Sequence, residues 1–368
     1  RKMVDGLGTK LIDMGLKDKR IAVIGKNRYE WIVTYLATVN GTGIIVPLDK
    51  GLPESEIEFS LIRSKCDAVV FSEEYLNIMK NIKQNGKTNV KSFICMDSIK
   101  ENEISNFKEL IQEGNKLIQN GNRDFIDAKI DNEKMSIILF TSGTTSLSKA
   151  VMLSHKNIAS NLYALNMAEK IYSTDVNLAF LPFHHTFGST GLLLFLNNGA
   201  TNVFCDGLRH IQANLKEYKV TVFVCVPLLL EAMYKKITKE IERQGKTKLI
   251  KVAVKVCNFL LKFGIDIRRK VFKDIINQLG GKLRFVVSGA SGIDQKVAKG
   301  FNDFGILTVQ GYGLTETSPV LTAENAKCIR YGSIGYPMSN VELKLDNKNE
   351  QGIGEIIAKG PNVMLGYY

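Results

Sequence analysis

Residues 135–150 read Met-Ser-Ile-Ile-Leu-Phe-Thr-Ser-Gly-Thr-Thr-Ser-Leu-Ser-Lys-Ala. The apolar run Met135–Phe140 predicts a strand, and the loop after it combines small hydroxyl side chains, a glycine and a lysine. A polyphosphate needs many small donors, a backbone that can approach closely and one cation across its outer phosphates. The P-loop spacing fails here, because Ser148 stands where the second glycine belongs and Ala150 follows Lys149. Taken alone, the loop is better explained as a solvated turn.

Three later segments change that interpretation. Gly311-Tyr-Gly-Leu-Thr-Glu-Thr317 follows a short apolar strand predicted over Ile306–Val309, and it places a ring, a hydroxyl and a carboxylate close together. The glycine-containing segments 332–337 and 354–368 then follow in order. A threonine–glutamate pair by itself is equally well explained by helix capping. The order and spacing of all the segments therefore carry the argument.

Together these segments resemble the ordered core motifs of the AMP-forming acyl-CoA synthetase superfamily, which includes firefly luciferase and peptide-synthetase adenylation domains. The resemblance spans nearly the whole chain. It implies an α/β fold of two stacked, predominantly parallel sheets flanked by helices, with part of a small β-barrel-like subdomain. It also implies that the chain is the large N-terminal domain of an enzyme whose C-terminal domain, beyond Tyr368, carries a catalytic lysine.

Alternating strand and helix patterns support this fold class independently. Strands predicted at Arg20–Ile24, Gly43–Pro47 and Ala68–Phe71 alternate with helical segments, which is typical of right-handed crossovers and a parallel sheet. Further strands are predicted at Val176–Leu181 and Thr201–Phe204 in the second half of the chain.

These patterns divide the chain into three predicted regions. The first is an α/β subdomain over 1–134, in which residues 98–132 form a charged connector. The second is an α/β subdomain over 135–330 that contains the phosphate loop and a basic helical insertion over 234–280. Residues 331–368 are expected to begin a β subdomain, because apolar and polar residues alternate there.

By the resemblance, the loop after Phe140 holds the β- and γ-phosphates of ATP, and Lys149 supplies the cation. Ser146, Ser148 and Ala150 replace glycine, proline and glycine of the family pattern T-S-G-T-T-G-x-P-K-G. Serine adopts positive φ less readily than glycine, so these substitutions bear on loop mobility, whereas the donors and the lysine remain. The expected phosphate-binding residues are Thr141, Ser142, Gly143, Thr144, Thr145 and Lys149.

The resemblance assigns the remaining nucleotide contacts to segments that follow two other predicted strands. Tyr312 is expected to stack on the adenine, with Gly311 and Gly313 allowing close approach of the backbone. The segment Ser288-Gly-Ala follows a strand predicted over Leu283–Val287, where open α/β sheets place ligands. The residues expected to line the base are Ser288, Gly289 and Ala290.

The expected catalytic groups come from two of these motifs and from a histidine. Thr315 is expected to bond the α-phosphate, and Glu316, with Thr144, to hold a Mg²⁺ ion that bridges phosphates. His185, in the motif Leu181-Pro-Phe-His-His-Thr-Phe-Gly188, matches a family histidine near the reacting carboxylate. His184 is the weaker candidate of that pair. Lys149, His185, Thr315 and Glu316 are therefore the predicted catalytic residues.

Charge is distributed unevenly along the 368 residues. The net charge is +12, and residues 234–284 hold 15 lysines and arginines against 4 acids, a local surplus of 15 − 4 = +11. The segment has few aromatic residues, namely Tyr234, Phe259, Phe263 and Phe272, so nucleic acid is not an expected partner. Attraction to an anionic membrane face or to acyl-CoA phosphates is one explanation, and a solvated basic face is the other.

The cysteines and apolar segments bear on the compartment. The six cysteines form no C-x-x-C pair, which favours buried, reduced thiols in a cytoplasmic protein. The longest apolar run, Val222–Leu230, is too short to span a bilayer. A cytoplasmic protein, with or without a peripheral membrane contact, is therefore expected.

The predicted reaction is the ATP-dependent activation of a carboxylic acid to an acyl-adenylate, followed by transfer of the acyl group to CoA. The basic insertion resembles one typical of long-chain fatty acyl-CoA synthetases, which favours a long-chain fatty acid. Two alternatives stay open: an acyl-carrier-protein thiol as the acceptor, and a non-catalytic relative that binds nucleotide or acyl groups. Without a C-terminal domain, the isolated chain is expected to have little activity.

Overall fold

A computed structural model describes residues 1–141 and 148–368. The α-helices of the described residues, in chain order, are α1 (Lys2–Asp13), α2 (Tyr29–Ala37), α3 (Glu54–Arg63), α4 (Leu76–Asn85), α5 (Phe107–Gln119), α6 (His155–Ala168), α7 (Thr186–Asn197), α8 (Ile211–Glu217), α9 (Pro227–Arg243), α10 (Thr247–Leu261), α11 (Arg268–Val271), α12 (Lys273–Gln278) and α13 (Gln295–Asp303).

The strands of the same residues are β1 (Lys19–Ile24), β2 (Gly43–Pro47), β3 (Ala68–Phe71), β4 (Ser92–Cys95), β5 (Ser105–Asn106), β6 (Met135–Thr141), β7 (Lys149–Ser154), β8 (Val176–Ala179), β9 (Thr201–Phe204), β10 (Val222–Cys225), β11 (Phe285–Ser288), β12 (Leu307–Gly313), β13 (Val320–Ala323), β14 (Tyr336–Pro337), β15 (Glu342–Asp346), β16 (Glu355–Lys359) and β17 (Gly366–Tyr367).

The first compact unit contains residues 1–158, 182–184 and 364–368. Its sheet has the order β17-β7-β6-β2-β1-β3-β4-β5. The strands from β6 to β5 in that order pair in parallel, whereas β7 and β17 are antiparallel additions at one edge. All four residues of β3 are buried, as expected of a parallel strand covered on both faces.

The second compact unit contains residues 159–181 and 185–363. Its larger sheet has the order β14-β13-β12-β11-β10-β8-β9, and β15 and β16 form a separate antiparallel pair. The run from β9 to β12 is parallel, while β13 and β14 are antiparallel. Every residue of β10 is buried, and this strand lies at the centre of the unit's apolar core.

The predicted α/β fold with two predominantly parallel sheets is confirmed. Three of the predicted strands, Gly43–Pro47, Ala68–Phe71 and Thr201–Phe204, have the predicted bounds. The basic insertion is helical, but it is divided into α9 to α12 by turns that include Gly245 and Gly264, both at positive φ.

The units divide at points other than the predicted boundaries after residues 134 and 330. The first unit extends to Ile158, because β6 pairs in parallel with β2 and β7 folds back onto β6 as a hairpin. Residues 98–132 are more than a connector. They include α5, which crosses α1 so closely that a Cβ on Gly114 would lie 1.8 Å from the Gly6 carbonyl oxygen.

The end of the chain also differs from the expected separate β subdomain. β15 and β16 form an antiparallel hairpin in this region, but β14, which also lies within 331–368, belongs to the second sheet. The last strand, β17, joins the first sheet beside β7. The Tyr368 hydroxyl accepts a hydrogen bond from the Arg20 guanidinium at 2.7 Å, which holds this end of the chain against the first unit.

A buried ion pair ties the start of β8 to the start of β11. The Asp175 carboxylate is 4% exposed and accepts hydrogen bonds from Arg284, from the Thr221 hydroxyl at 2.7 Å and from the Tyr172 backbone N–H at 2.8 Å. Burial alone would raise the pKa of Asp175, but the hydrogen bonds from Arg284, Tyr172 and Thr221 outweigh it and lower the pKa.

We expect Asp175→Asn to lower the free energy of unfolding of the second unit by about 3 kcal/mol near neutral pH, because Arg284 loses its buried partner. Since the pKa of Asp175 is lower in the folded state, its contribution is present above the ordinary pKa of aspartate and is lost as the pH falls through the lower folded value. The difference between wild type and variant should therefore shrink in acid. Urea denaturation at several pH values measures it.

The matched control is Asp127→Asn, which removes the exposed partner of Arg123. Such a fully solvated surface pair contributes little to stability, because water screens the interaction. Equal losses in the two variants would contradict the structural role of the Asp175 pair.

Candidate functional site

Several predicted site segments follow the carboxyl ends of neighbouring parallel strands in the second unit. The histidine motif follows β8. Ser288 is the last residue of β11, and the next two residues, 289 and 290, follow that strand. The segment Gly311–Glu316 begins where the parallel part of β12 ends. Because β8, β10, β11 and β12 are parallel, these segments lie at one edge of the sheet. That edge is where open α/β sheets bind ligands.

The predicted adenine segment has an unusual backbone and an unsatisfied hydroxyl. Ala290 adopts φ 71°, in the left-handed region that non-glycine residues rarely occupy. The Ser288 side chain is fully buried, and its hydroxyl has no hydrogen-bond partner among the described residues. An unsatisfied buried hydroxyl is costly unless a water or a ligand satisfies it. These features favour a ligand at this turn.

Gly289 connects this turn to the histidine motif. A Cβ on Gly289 would lie 2.8 Å from the Phe187 ring, so only glycine allows α7 to approach the end of β11 this closely. The structure thus brings together, within one unit, two segments that are about 100 residues apart in the sequence.

The segment that contains Tyr312 continues the strand, which was predicted to end at Val309 and extends to Gly313. β12 pairs with β11 up to Gln310 and then pairs in antiparallel fashion with β13 over Gly311–Gly313, with an irregularity between Tyr312 and Gly313. Tyr312 is half-buried. A Cβ on Gly313 would lie 1.7 Å from the Pro319 carbonyl oxygen. Close backbone packing therefore requires glycine at position 313.

Thr315 and Glu316 lie in a short 3-10 helix, Thr315–Thr317, and both are half-buried. The Thr317 hydroxyl accepts a hydrogen bond from the Leu314 N–H at 3.0 Å and donates one to the Pro319 carbonyl at 2.7 Å. The Asn362 amide donates to the Thr317 carbonyl at 2.9 Å. The turn that carries the predicted α-phosphate and Mg²⁺ residues is therefore fixed by Thr317 of the motif itself and by Asn362 from outside the motif.

Both ends of the predicted phosphate loop lie in the first unit. Thr141 ends β6 and Lys149 begins β7, and these two residues are cross-strand partners. The Lys149 side chain is exposed, and its ammonium nitrogen lies 5.1 Å from the centre of the Tyr367 ring. Arg63 donates a hydrogen bond to the Ser148 carbonyl. The expected phosphate-binding residues that lie outside the described residues are Ser142, Gly143, Thr144 and Thr145.

One family substitution in this loop is explained by the structure. Ala150, which stands where the family has glycine, is fully buried within β7 and packs in the apolar core of the first unit. It pairs with Phe140 on β6. A small apolar side chain is therefore compatible with this extended, buried position.

The two neighbouring histidines have different environments. His185 is exposed and directly precedes α7, where its carbonyl accepts the Ser189 N–H at 3.0 Å. His184 belongs to the first unit, is 9% exposed, and places its Nε2 3.3 Å from a carboxylate oxygen of Asp49. The predicted catalytic histidine is therefore the accessible one of the two.

Sequence reasoning missed the residues that support the site. Asn362 lies in the motif 354–368, yet nothing in its spacing indicated a contact with Thr317. Glu324 is buried and accepts backbone hydrogen bonds from Gln310 at 3.1 Å and Arg330 at 2.9 Å. Burial raises the pKa of Glu324, and the two backbone hydrogen bonds offset part of that effect. An isolated acid after an apolar strand gave no signal for this role.

Comparison with known proteins agrees with this geometry. The family model described as AMP-binding enzyme matches residues 1–368, and the chain therefore belongs to this family. The chain is 29% identical over 394 residues to long-chain-fatty-acid–CoA ligase 5 of Rattus norvegicus, covering 98% of this chain and 57% of that protein. It is 27% identical to fatty acyl-CoA synthetase B of Dictyostelium discoideum, with 97% and 57% covered. The chain thus spans just over half the length of these relatives.

Solved structures share the fold. A long-chain-fatty-acid–CoA ligase from Archaeoglobus fulgidus superposes with a TM-score of 0.76 at 22% identity, covering 100% of this chain and 68% of that one. An anthranilate CoA ligase, AuaEII, in complex with anthranoyl-AMP gives a TM-score of 0.77 at 19% identity, covering 100% and 65%. The predicted superfamily and fold are confirmed.

We expect Gly313→Ala to destabilise the second unit by about 2 kcal/mol or more, because the added methyl group meets the Pro319 backbone and the turn must open. Thermal unfolding of the purified chain measures this loss. Gly292→Ala is the matched control, since a Cβ there has no heavy atom within 4 Å and the residue lies in the same unit. A Gly313 variant as stable as the control would contradict the close approach.

Proposed function

We propose that the protein of which this chain is part activates a long-chain fatty acid with ATP and transfers the acyl group to CoA. The observation that carries the proposal is the placement of Ser288–Ala290, Tyr312 and Thr315–Glu316 at one edge of the second sheet, in a chain that matches an AMP-binding family along its whole length. The named activity of the relatives supports the choice of acid and acceptor.

The proposed reaction has two steps. The fatty acid carboxylate attacks the α-phosphorus of ATP, forming an acyl-adenylate and releasing pyrophosphate. The CoA thiolate then attacks the acyl carbonyl and AMP leaves with the bonding electron pair. In the first step an anion approaches a polyanion, so neutralisation of charge is the main requirement on the protein.

The residues of this chain are proposed to meet that requirement as follows. Lys149 and the hydroxyl groups of 141–145 hold the outer phosphates, and Thr315 donates to the α-phosphate. His185, which is exposed at the start of α7, orients the carboxylate. Tyr312 stacks on the adenine, and the buried Ser288 hydroxyl, which has no hydrogen-bond partner among the described residues, is proposed to bond the base.

Mg²⁺ fits the proposed site because Glu316 supplies a half-buried carboxylate in a turn that Asn362 and Thr317 hold in place. Oxygen ligands of this kind suit a hard cation that is shared with phosphates. Glu316 and Thr144 are the proposed ligands, and the bound ion would supply positive charge at the phosphates.

The cytoplasm is the proposed compartment. All six cysteines, each of which the structure describes, are free, and four of them are buried. Burial raises the pKa of the Cys66 thiol to about 12, so this group stays protonated and unreactive at neutral pH. Among the described residues, no helix is both long and apolar enough to cross a membrane. Contact with an anionic membrane face is proposed for the basic segment 234–284.

Acid-dependent exchange of pyrophosphate into ATP by the full-length protein tests the first step. We expect exchange with palmitate and little with acetate or an aryl acid, because a long apolar chain contributes binding energy along its length. Preference for acetate or the aryl acid would refute the long-chain assignment. Exchange without thioester formation on CoA, but with transfer to an acyl carrier protein, would favour the carrier-protein alternative. ATP–Mg²⁺ binding without any exchange would favour a non-catalytic relative.

We expect Glu316→Gln to lower the exchange rate by about a hundredfold and to raise the Mg²⁺ concentration needed, because the site loses a charged ligand. Glu342→Gln is the matched control, since Glu342 is an exposed acid of β15 in the same unit. Thermal unfolding confirms that both variants are folded. Exchange by Glu316→Gln at the control rate would remove Glu316 from the site.

A further inference from the structure

Helix α10 has two apolar faces, and only one of them is covered. The inner face, formed by Ile250, Ala253, Val254 and Cys257, packs against the core of the second unit. The second face is exposed. It consists of four helix residues three or four positions apart and of Phe263 in the turn that follows the helix, which we together call the α10 stripe: Leu249 (64% exposed), Val252 (58%), Val256 (50%), Phe259 (60%) and Phe263 (68%).

The spacing of the α10 stripe makes it one continuous surface. Steps of three and four residues keep the four helix side chains, from Leu249 to Phe259, on one side of α10. The rings of Phe259 and Phe263 contact each other, with centres 5.2 Å apart. Single exposed apolar residues are common on soluble proteins, but a continuous row of five large ones indicates a surface that is covered by a partner.

The charges beside the α10 stripe identify the kind of partner. Lys248, Lys251, Lys255 and Lys262 each directly precede a stripe residue, so they lie about 100° around the helix and form a row along one side of it. All four are exposed. Residues 246–263 contain five lysines and no acidic residue. An apolar stripe edged by ammonium groups is complementary to a surface that has a negatively charged outer layer and an apolar layer beneath it.

We infer that the α10 stripe inserts into an anionic phospholipid surface, with α10 lying in the plane of the membrane. Leu, Val and Phe side chains would enter the boundary between headgroups and acyl chains, while the lysines extend to the phosphates. At 15 residues, α10 is about 22 Å long, which suits an interfacial helix and not a spanning one. The inference deepens the proposed membrane contact of segment 234–284 and rests on it, but it requires no turnover of ATP.

Vesicle flotation of the 368-residue chain tests this inference. We expect binding to vesicles of equimolar phosphatidylcholine and phosphatidylglycerol, and weak binding to phosphatidylcholine alone. The double variant Phe259→Ser/Phe263→Ser should reduce the partition coefficient by about tenfold or more. Lys251→Gln/Lys255→Gln should reduce it by roughly fivefold for each lysine.

Matched controls remove equally exposed groups from elsewhere. Leu208→Ser removes a 74% exposed leucine from a 3-10 turn of the second unit, and Lys91→Gln/Lys129→Gln removes two exposed lysines from the first unit. These variants should bind vesicles like the wild type. Thermal unfolding verifies that every variant is folded. If the phenylalanine variant binds within about twofold of the controls, the inference is overturned.

A tryptophan at position 259 separates insertion from surface adsorption. The single tryptophan of the chain, Trp31, is 2% exposed and belongs to the first unit, so it provides a constant background. The emission of Phe259→Trp should be quenched by phospholipids brominated on their acyl chains, whereas that of the wild type should not. Vesicle-bound protein without quenching would refute insertion.

Two further outcomes bear on the partner. If sedimentation shows a dimer that Phe259→Ser/Phe263→Ser dissociates, and no vesicle binding occurs, a second copy of the chain covers the stripe and the lipid assignment is wrong. Pyrophosphate exchange by the full-length protein is measured without vesicles. A failure of the ligase proposal therefore appears there and leaves the flotation result unaffected.

Discussion

Parallel pairing in the second sheet is the constraint on which the candidate site depends. β8, β10, β11 and β12 run in the same direction, so the segments that follow them emerge at one edge. The Asp175–Arg284 pair holds the opposite edge, where β8 and β11 begin. Because Asp175 is buried and accepts hydrogen bonds from Arg284, Thr221 and Tyr172, it fixes the starts of these two strands relative to each other.

Glycines at the site act mainly through packing. At Gly313 the backbone of the following turn comes so close that any side chain would displace it, and at Gly289 the Phe187 ring occupies the same space. The Thr315–Thr317 helix is then held from outside by Asn362, whose amide donates to the Thr317 carbonyl. Residues with no chemical role thus determine where a hydroxyl and a carboxylate can lie.

The fold class was predictable from local patterns, whereas the partners of individual strands were not. Buried runs such as Ala68–Phe71 identify their own bounds, because burial on both faces leaves an uninterrupted apolar segment. The pairing of β6 with β2 joins residues about 90 positions apart in the sequence, and no local sequence pattern predicts it. The motifs predicted which residues belong to the candidate site. Their supports, such as Glu324 and Asn362, were missed because a single polar residue carries no periodicity.

Most of the net positive charge of the chain lies in the long crossover between β10 and β11. A crossover between parallel strands needs about a dozen residues, whereas the segment between β10 and β11 contains the four helices α9 to α12. A parallel crossover does not require a segment of this length, so the outer surface of helices α9 to α12 can have a role other than connecting the two strands. If the lysines served only to attract an anionic substrate, the residues between them would have no reason to be apolar and exposed. Lysines that alternate with the exposed apolar residues of the α10 stripe fit an extended lipid surface better than they fit a single anion.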